Sequence, residues 1–557
     1  MGADVGLGSV SLALSVLSRG QVIIEFLIEW VRSSKHYGED VRVIRTRLST
    51  QSARLSAFSA FLEKESKPGV SHFNELSDVF RRSICGMTEE LELTFDSYYS
   101  LINKYKIEDL QRGFETQMVI DESSGPTKKR TSIVAASKKE SEARQKAASF
   151  RNISTWGLFR KKNVFDLINK IESWNDQLQN FLICGLCFGK GPRIGEMLKA
   201  PGLGELRVDI GIELRGLILE DPRTLDDYLK TEWILSRLED ETDPRIQTLT
   251  TRSPDQSLPT SRKVFVEYKE FRVRRGGTGP SESVLRGVSS LAKLLSQPRA
   301  PEAGFQTLKC NGIIRQTAPR QRFAFIFDLH PDQLQGTARI ISIAQAISTG
   351  FAHRPTLGER FCMAKSLAVS LFQFHSVNWL HKSVRSSNVL FTSEEAHDGP
   401  PRPGFSRPFL VGFEFARAEN DMSTTDQEDS VLVNIYRHPD KQGPPEERFH
   451  ALHDIYALGT VLLEIGIWRP LIGFDRNFEK MKPLEVKQCL EAHARERLPH
   501  YMGVEYTEAV LSCLQGTLLD DEAEDAGDVG SDAWREYIQS GFWVHVIEKI
   551  HKGTGLK

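Results

Sequence analysis

The chain has 557 residues, of which 40% are hydrophobic and 26% charged, with a formal net charge of −2. That length supports about two or three domains, each with its own core, and the near-neutral balance excludes a global attraction to nucleic acid. Seven cysteines, an odd number thinly spread, argue for a reducing, cytoplasmic setting and against a disulfide-stapled scaffold.

Residues 5–18 (VGLGSVSLALSVLS) carry no charge, but Asp4 precedes them and no basic segment opens the chain. We therefore expect neither a leader peptide nor a standard spanning helix. Gly6 stands where a myristoylation signal needs Ser or Thr, which excludes that anchor. Val22, Phe26 and Trp30, with Ile23 and Leu27, continue the stretch at helical spacing, so 5–34 reads as one long or kinked helix.

Val41, Ile44, Leu48, Leu55, Phe58 and Leu62 predict a second helix over 38–66, stopped by Lys67-Pro68-Gly69. Residues 73–105 and 164–190 repeat the amphipathic pattern, and the two runs predict an all-α bundle. Between them, 112–150 is rich in Ser, Lys and Arg with little apolar periodicity and reads as a mobile basic loop. Cys184 and Cys187 form a lone Cys-x-x-Cys without further ligands, so two small core residues are expected, and no metal site is assigned.

Residues 222–240 read as a connector helix, followed by a Pro/Ser/Thr-rich linker at 248–263. This sets domain limits of 1–218 for the bundle, 219–257 for the connector and 258–557 for a mixed α and β domain. In the latter, VFVEY (264–268) and RFAFIF (322–327) have strand character, whereas 357–380 and 450–468 read as helices.

One ordered set of segments carries the chemistry. LHKSVRSSNVLF (380–391) follows the predicted helix 357–379. FLVGFEFAR (409–417) comes about twenty residues later, then YRHPD (436–440) and HDIYALGTVLLEIGIWRPL (453–471). The set resembles protein kinases. His381 and Asn388 match the catalytic loop pattern His-Arg-Asp-Leu-x-x-x-Asn, but Ser383 replaces its aspartate. Gly412, Phe413 and Glu414 fill the Asp-Phe-Gly places, so Gly412 replaces the magnesium-holding aspartate. Pro439 matches the close of the activation segment, and Asp454 and Gly459 match the opening of the central helix. In the strand 264–271, Lys269 would stand at the ATP-contacting lysine, with Glu282 its nearest acidic partner, and no phosphate-cradling glycine loop precedes it. The resemblance implies a bilobal α+β protein-kinase-like domain that keeps the scaffold residues His381, Phe413, Pro439, Asp454 and Gly459. It further implies no catalytic residue and no required cofactor, with Lys269 and Asn388 left as a vestigial ATP site.

Residues 5–31 resemble the first helix of the HeLo (prion-inhibition and propagation) domain, which fungal proteins join to a kinase-like domain. The resemblance implies a regulated effector of heterokaryon-incompatibility cell death, in which a pseudokinase controls a membrane-active bundle through Leu7, Leu12, Leu14 and Leu17. It also implies self-association on activation, a protein partner or receptor, contact with anionic lipid and translocation to the plasma membrane. The alternatives are a divergent active Ser/Thr-type kinase, using displaced acids such as Glu414, and a non-enzymatic scaffold.

Overall fold

A computed structural model describes residues 14–18, 20–21, 24, 28, 38–63, 65–67, 70–75, 166–175 and 178, with parts of 81–93, in the first of two compact units. In the second it describes 224–238, 243–251, 260–271, 273, 279–296, 306–329, 340–348, 354–394, 402–418, 430–442, 448–518 and 529–554. The units comprise Met1–Asp209 and Ile210–Lys557.

The described residues of the first unit are mostly helical. Helix α1 (Gly38–Glu63) ends just before a two-strand turn, β1 (Glu65–Lys67) and β2 (Val70–Ser71), that leads into the short helix α2 (His72–Glu75). Its positions Ile44, Leu48, Leu55, Phe58 and Leu62 are buried, as the expected spacing requires, together with Leu167, Ile168, Ile171 and Leu178 of the helical stretch 166–178. A polar seam joins these two helices. Arg47 donates to Glu172 at 2.8 Å and to Asn169 at 2.7 Å, and the buried Asn175 amide donates to Gln51 Oε1 at 2.7 Å and to its carbonyl at 3.2 Å. Leu14 is helical and half-buried, while Val16 and Leu17 are fully buried. Leu7, Leu12, the basic loop 112–150, Cys184 and Cys187 lie outside the described residues. No described helix is long and apolar enough to cross a membrane.

The second unit opens on helix α3 (Leu225–Tyr228), which is followed at once by a strand, β3 (Ile234–Arg237). The expected connector helix over 222–240 is thus corrected to one helical turn and a strand. β3 pairs with β4 (Ile246–Thr251), and β4 pairs over six residues with β5 (Thr260–Glu270). The sheet therefore begins well before the expected boundary at 258. The physical reason is the β-branched character of IQTLTT (246–251), whose threonines suit a pleated surface and whose Ile246 and Leu249 are buried on its two faces. With β6 (Cys310–Gln316) and β7 (Arg322–Asp328) the antiparallel order is β3-β4-β5-β7-β6. One face packs Leu249, Val264, Val266, Ala324 and Ile326 together. Helix α4 (Glu282–Leu295) is capped by the Ser281 hydroxyl, buries Val288, Leu291 and Leu295, and packs against β6.

Beyond β8 (Ile340–Ser342) and α5 (Ile343–Ser348) the chain turns mostly helical. Helix α6 (Leu357–Ser376) runs into the short strand β9 (Trp379–Leu380). β10 (Val389–Glu394) pairs with β8, with β11 (Arg402–Pro403) and with β12 (Phe409–Leu410), while β13 (Arg417–Ala418) returns to β9. These pairings place residues 381–388 beside 411–416. Helix α7 (Val431–Asn434) precedes α8 (Ala451–Ile467), which is buried nearly all round, as befits a central helix. Helices α9 (Pro483–Met502), α10 (Val504–Gln515) and α11 (Asp532–Phe542) complete the unit. Gly459 lets α8 and α10 approach, since a Cβ there would lie 2.6 Å from the Cys513 Cβ. Antiparallel sheet followed by packed helix is the expected mixed α and β content.

Replacing Asn175 by Ala removes its two hydrogen bonds to Gln51 and leaves the Gln51 Oε1 to the Arg54 guanidinium at 3.2 Å, a loss of about 1–3 kcal/mol for the two bonds. Hydrogen exchange of the amides in α1 should accelerate by a corresponding factor, and unchanged exchange would refute the stabilising role of this pair.

Candidate functional site

Seven residues from distant parts of the sequence, Lys269, His381, Ser383, Asn388, Gly412, Phe413 and Asp454, meet in one cleft. Asp454, in the first turn of α8 and 1% exposed, accepts the amide of His381 at 2.7 Å and that of Lys382 at 2.7 Å. Its Oδ2 also contacts the His375 Nε2 at 3.2 Å. These bonds hold Lys382 in the left-handed region, at φ 64°, which a residue with a Cβ enters at a cost of about 1–2 kcal/mol. Burial, reinforced by the Arg417 charge, lowers the Lys382 ammonium to about 7.

His381 is fully buried, and its ring lies 5.0 Å from that of Phe413, which also meets Phe374 at 5.4 Å and Phe327 at 6.5 Å. Phe327 belongs to the β-sheet and Phe374 to α6, so Phe413 bridges the two layers. Ser383 stands on the cleft with no carboxylate at its place; its Oγ accepts the Asn388 amide at 3.0 Å and its carbonyl accepts it at 2.9 Å. Gly412 has φ 96°, and a Cβ there would lie 2.1 Å from Asn388 Nδ2. Only glycine meets both conditions.

The remaining polar positions are filled from within the chain. The Lys269 ammonium donates to the carbonyls of Glu414 at 3.0 Å and Ala416 at 2.8 Å. Glu267, two residues earlier on the same strand face, accepts the amides of Gly412 at 2.5 Å and Phe413 at 2.7 Å. Its complete burial raises the carboxyl to about 7 despite those amide bonds. Arg245 donates to Asn388 Oδ1 at 3.0 Å and to the Ser387 carbonyl at 3.1 Å, is anchored by Asp243 at 2.8 Å, and lies over the Phe265 ring at 5.0 Å. Glu414 is directed at Arg385, 3.5 Å away.

Glu282, the acidic partner considered for Lys269, is instead exposed at the start of α4 and faces Arg286 at 3.7 Å. The glycine cluster at 201–205 and most of 274–279 lie outside the described residues. Pro439 opens a 3₁₀ turn, Pro439–Lys441. The turn is tied back through Tyr436, whose hydroxyl donates to the buried Glu464 at 2.8 Å and contacts the Ser386 hydroxyl at 2.8 Å.

Arg245 and Glu267 escaped the sequence reading. Glu267 carries a signal in retrospect, because Phe265, Glu267 and Lys269 share one face of a strand. A carboxylate in phase with buried aromatics needs a partner. Arg245 follows Pro244 in a turn and carries no such signal. A cavity of about 470 Å³ opens beside the cleft, lined among others by Lys382, Ser383, Arg385, Glu414, His438 and His453.

Residues 8–185 match the family model HeLo, described as "Prion-inhibition and propagation". Residues 298–541 match DUF7580, a domain of unknown function. No curated protein matches the chain. Among solved structures, a chain of "Structure of the CAK complex form Chaetomium thermophilum bound to ATP-gamma-S" is similar over 51% of this chain and 85% of that one, at 15% identity and a TM-score of 0.31.

Burial also sets the pH response of the second unit. It lowers His381, His438 and His450 to about 4, His551 to about 3 and His453 to about 2, and raises Glu267 and Glu464 to about 7. The unfolded imidazoles bind protons below their ordinary 6.5 that the folded ones refuse, so each destabilises the fold as pH falls from 6.5 towards 4. The two carboxyls act in the opposite sense between 4.5 and about 7. Burial lowers His493 as well; with six imidazoles against two carboxyls, the melting temperature should drop between about pH 7 and about pH 5, and a rise on acidification would contradict these assignments.

Proposed function

We propose that the chain is a regulated effector of the cell-death or incompatibility type, in which a catalytically inactive kinase-like domain controls a membrane-active helical bundle. The observation that carries the inactive reading is the cleft itself. Ser383 and Gly412 stand where the resemblance calls for two carboxylates, and Arg245, Glu267 and Lys269 engage the groups that a nucleotide and its metal would use. A serine hydroxyl does not serve as a general base near neutral pH, and phosphoryl transfer depends on metal ions that neutralise the developing charge. The sheet order, the Asp454 anchor and the Phe413 bridge support retention of a kinase-like scaffold without its chemistry.

The match of residues 8–185 to the HeLo model supports the effector reading for the bundle. In the resting state Val16 and Leu17, near the end of the uncharged N-terminal stretch, are fully buried. Released, residues 5–18 would span about 21 Å as a helix, short of the about 30 Å hydrocarbon layer. Membrane action therefore requires self-association, tilt or bilayer thinning. The basic residues between 128 and 162 would draw the bundle to an anionic leaflet at about 1 kcal/mol per side chain close to the surface, which suits a cytoplasmic protein that moves to the plasma membrane once a receptor or protein partner relieves the restraint.

A chain ending at Asp209 should release dye from anionic liposomes, and Leu14→Asp should abolish the release; absence of leakage from both this chain and the full-length protein would sink the proposal. For the cleft, magnesium with ATP should leave the melting temperature unchanged. The double replacement Ser383→Asp and Gly412→Asp should yield no phosphate transfer and a less stable protein, because the new Cβ collides with Asn388. Transfer by the unaltered chain would establish the divergent-kinase alternative.

A further inference from the structure

Outside the cleft, imidazoles and a carboxylate converge where the 436–442 turn meets the start of α8. His438 and Asp440 flank Pro439, and His453 lies in the first turn of α8. One donor atom from each of His438, Asp440 and His453 lies within 4.8 Å of the other two. His438 Nδ1 and Asp440 Oδ2 are 3.1 Å apart. Metal–nitrogen and metal–oxygen bonds of about 2.0–2.2 Å in a tetrahedron put neighbouring donors about 3.3 Å apart. The first pair already has that bite, and the third donor lies within 4.8 Å of both.

The rings are held in place by aromatic walls. His438 meets Tyr456 edge-on at 5.0 Å, His453 meets Phe449 at 5.0 Å, and His450 stacks on His453 at 3.8 Å. His438 and His453 also line the cavity of about 470 Å³, so water can reach an open coordination position.

We propose that His438, Asp440 and His453 form a binding site for a zinc-class divalent cation, with water from the cavity as the fourth ligand. Two imidazoles and one carboxylate suit zinc and its neighbours over magnesium or calcium, which take all-oxygen sets. A donor set of three protein groups and a water is that of an open zinc site, not a closed structural one. Binding through His438 Nδ1 leaves that ring's proton on Nε2 and frees the Asp440 amide, which that nitrogen accepts at 3.4 Å. His453 Nδ1 now accepts the His450 amide at 3.0 Å, so binding through Nε2 moves the ring proton to Nδ1 and frees that amide. No net proton is released. Lys441 and Lys487, which bear on His438, and the positive end of α8 oppose a cation, while Asp440 and Asp454 favour it. The affinity is thus weaker than in a closed four-ligand site. The bound ion would tie the turn to α8. This inference does not depend on the effector reading.

The test is titration of the full-length, chelator-stripped protein with cobalt(II), which reports its own coordination number. One cobalt per chain should bind with the intense visible absorption of a four-coordinate ion and be displaced by zinc. His438→Ala and Asp440→Asn, both at an accessible turn, should weaken binding by at least about 100-fold, since loss of even an outer partner of a metal ligand costs about 10- to 100-fold. Thermal melting of the apo variants checks that they fold, and His500→Ala on an exposed helix face should bind like the parent. No binding, a weak six-coordinate spectrum, or undiminished affinity in folded His438→Ala and Asp440→Asn would overturn the site; the last outcome would place the ion elsewhere, for example at Cys184 and Cys187.

Discussion

The second unit depends on one buried carboxylate. Asp454 receives the amides of His381 and Lys382 and contacts the ring of His375. A hydrogen bond to a charged group contributes about 1.5–3 kcal/mol, and a buried donor left without an acceptor costs a similar amount. Through these bonds the path of residues 381–388 is fixed by α8. That path in turn positions Asn388 against Gly412, and His381 against Phe413. The sheet is joined to the helices through the same contacts, because Phe327 meets Phe413 from above. A second carboxylate, Glu464, repeats the device one face further along α8, where it holds Tyr436 and the Leu471 amide. Central-helix acids thus organise the loops on both sides of the cleft.

Around this anchor the polar groups of the cleft pair with one another. The resemblance to kinases calls for carboxylates facing a cation and a lysine facing phosphates. Here a carboxylate, Glu267, faces backbone amides, and a guanidinium, Arg245, faces the Asn388 oxygen. Both residues pair with groups of the loops 381–388 and 411–416, so the polar interior of the cleft is satisfied from within the chain. Lys269 is present as expected, but its ammonium is committed to two carbonyls.

What was legible in the sequence follows a physical divide. His381, Asn388, Phe413, Asp454 and Gly459 were legible because they sit in short segments with fixed spacing; the structure places the first four around one cleft, whereas Gly459 faces Cys513 on α10. Helix α1 was legible through its periodic buried face. The stretch 222–240 was misread because Leu225, Tyr228, Leu229 and Leu235 fit helical spacing as well as they fit a turn and a strand, and only pairing with β4 decides between them. Arg245 and Glu267 act across space on segments more than a hundred residues away, and no window of sequence carries that information. Leu17 shows the reverse case: its apolar character was plain, and burial within the first unit is what the described helix makes of it.

Arg245 has a consequence for how the cleft responds to its surroundings. The residue links the turn ahead of β4 to Asn388 and Ser387 while leaning on Asp243. Anything entering the cleft to reach Asn388 must first evict a guanidinium that already holds four oxygens in place. Occupancy is therefore a contest between an incoming molecule and a tethered one that is never diluted, and the outcome is felt at once in the β3–β4 turn. A pocket arranged in this way registers intrusion as a movement of its own rim.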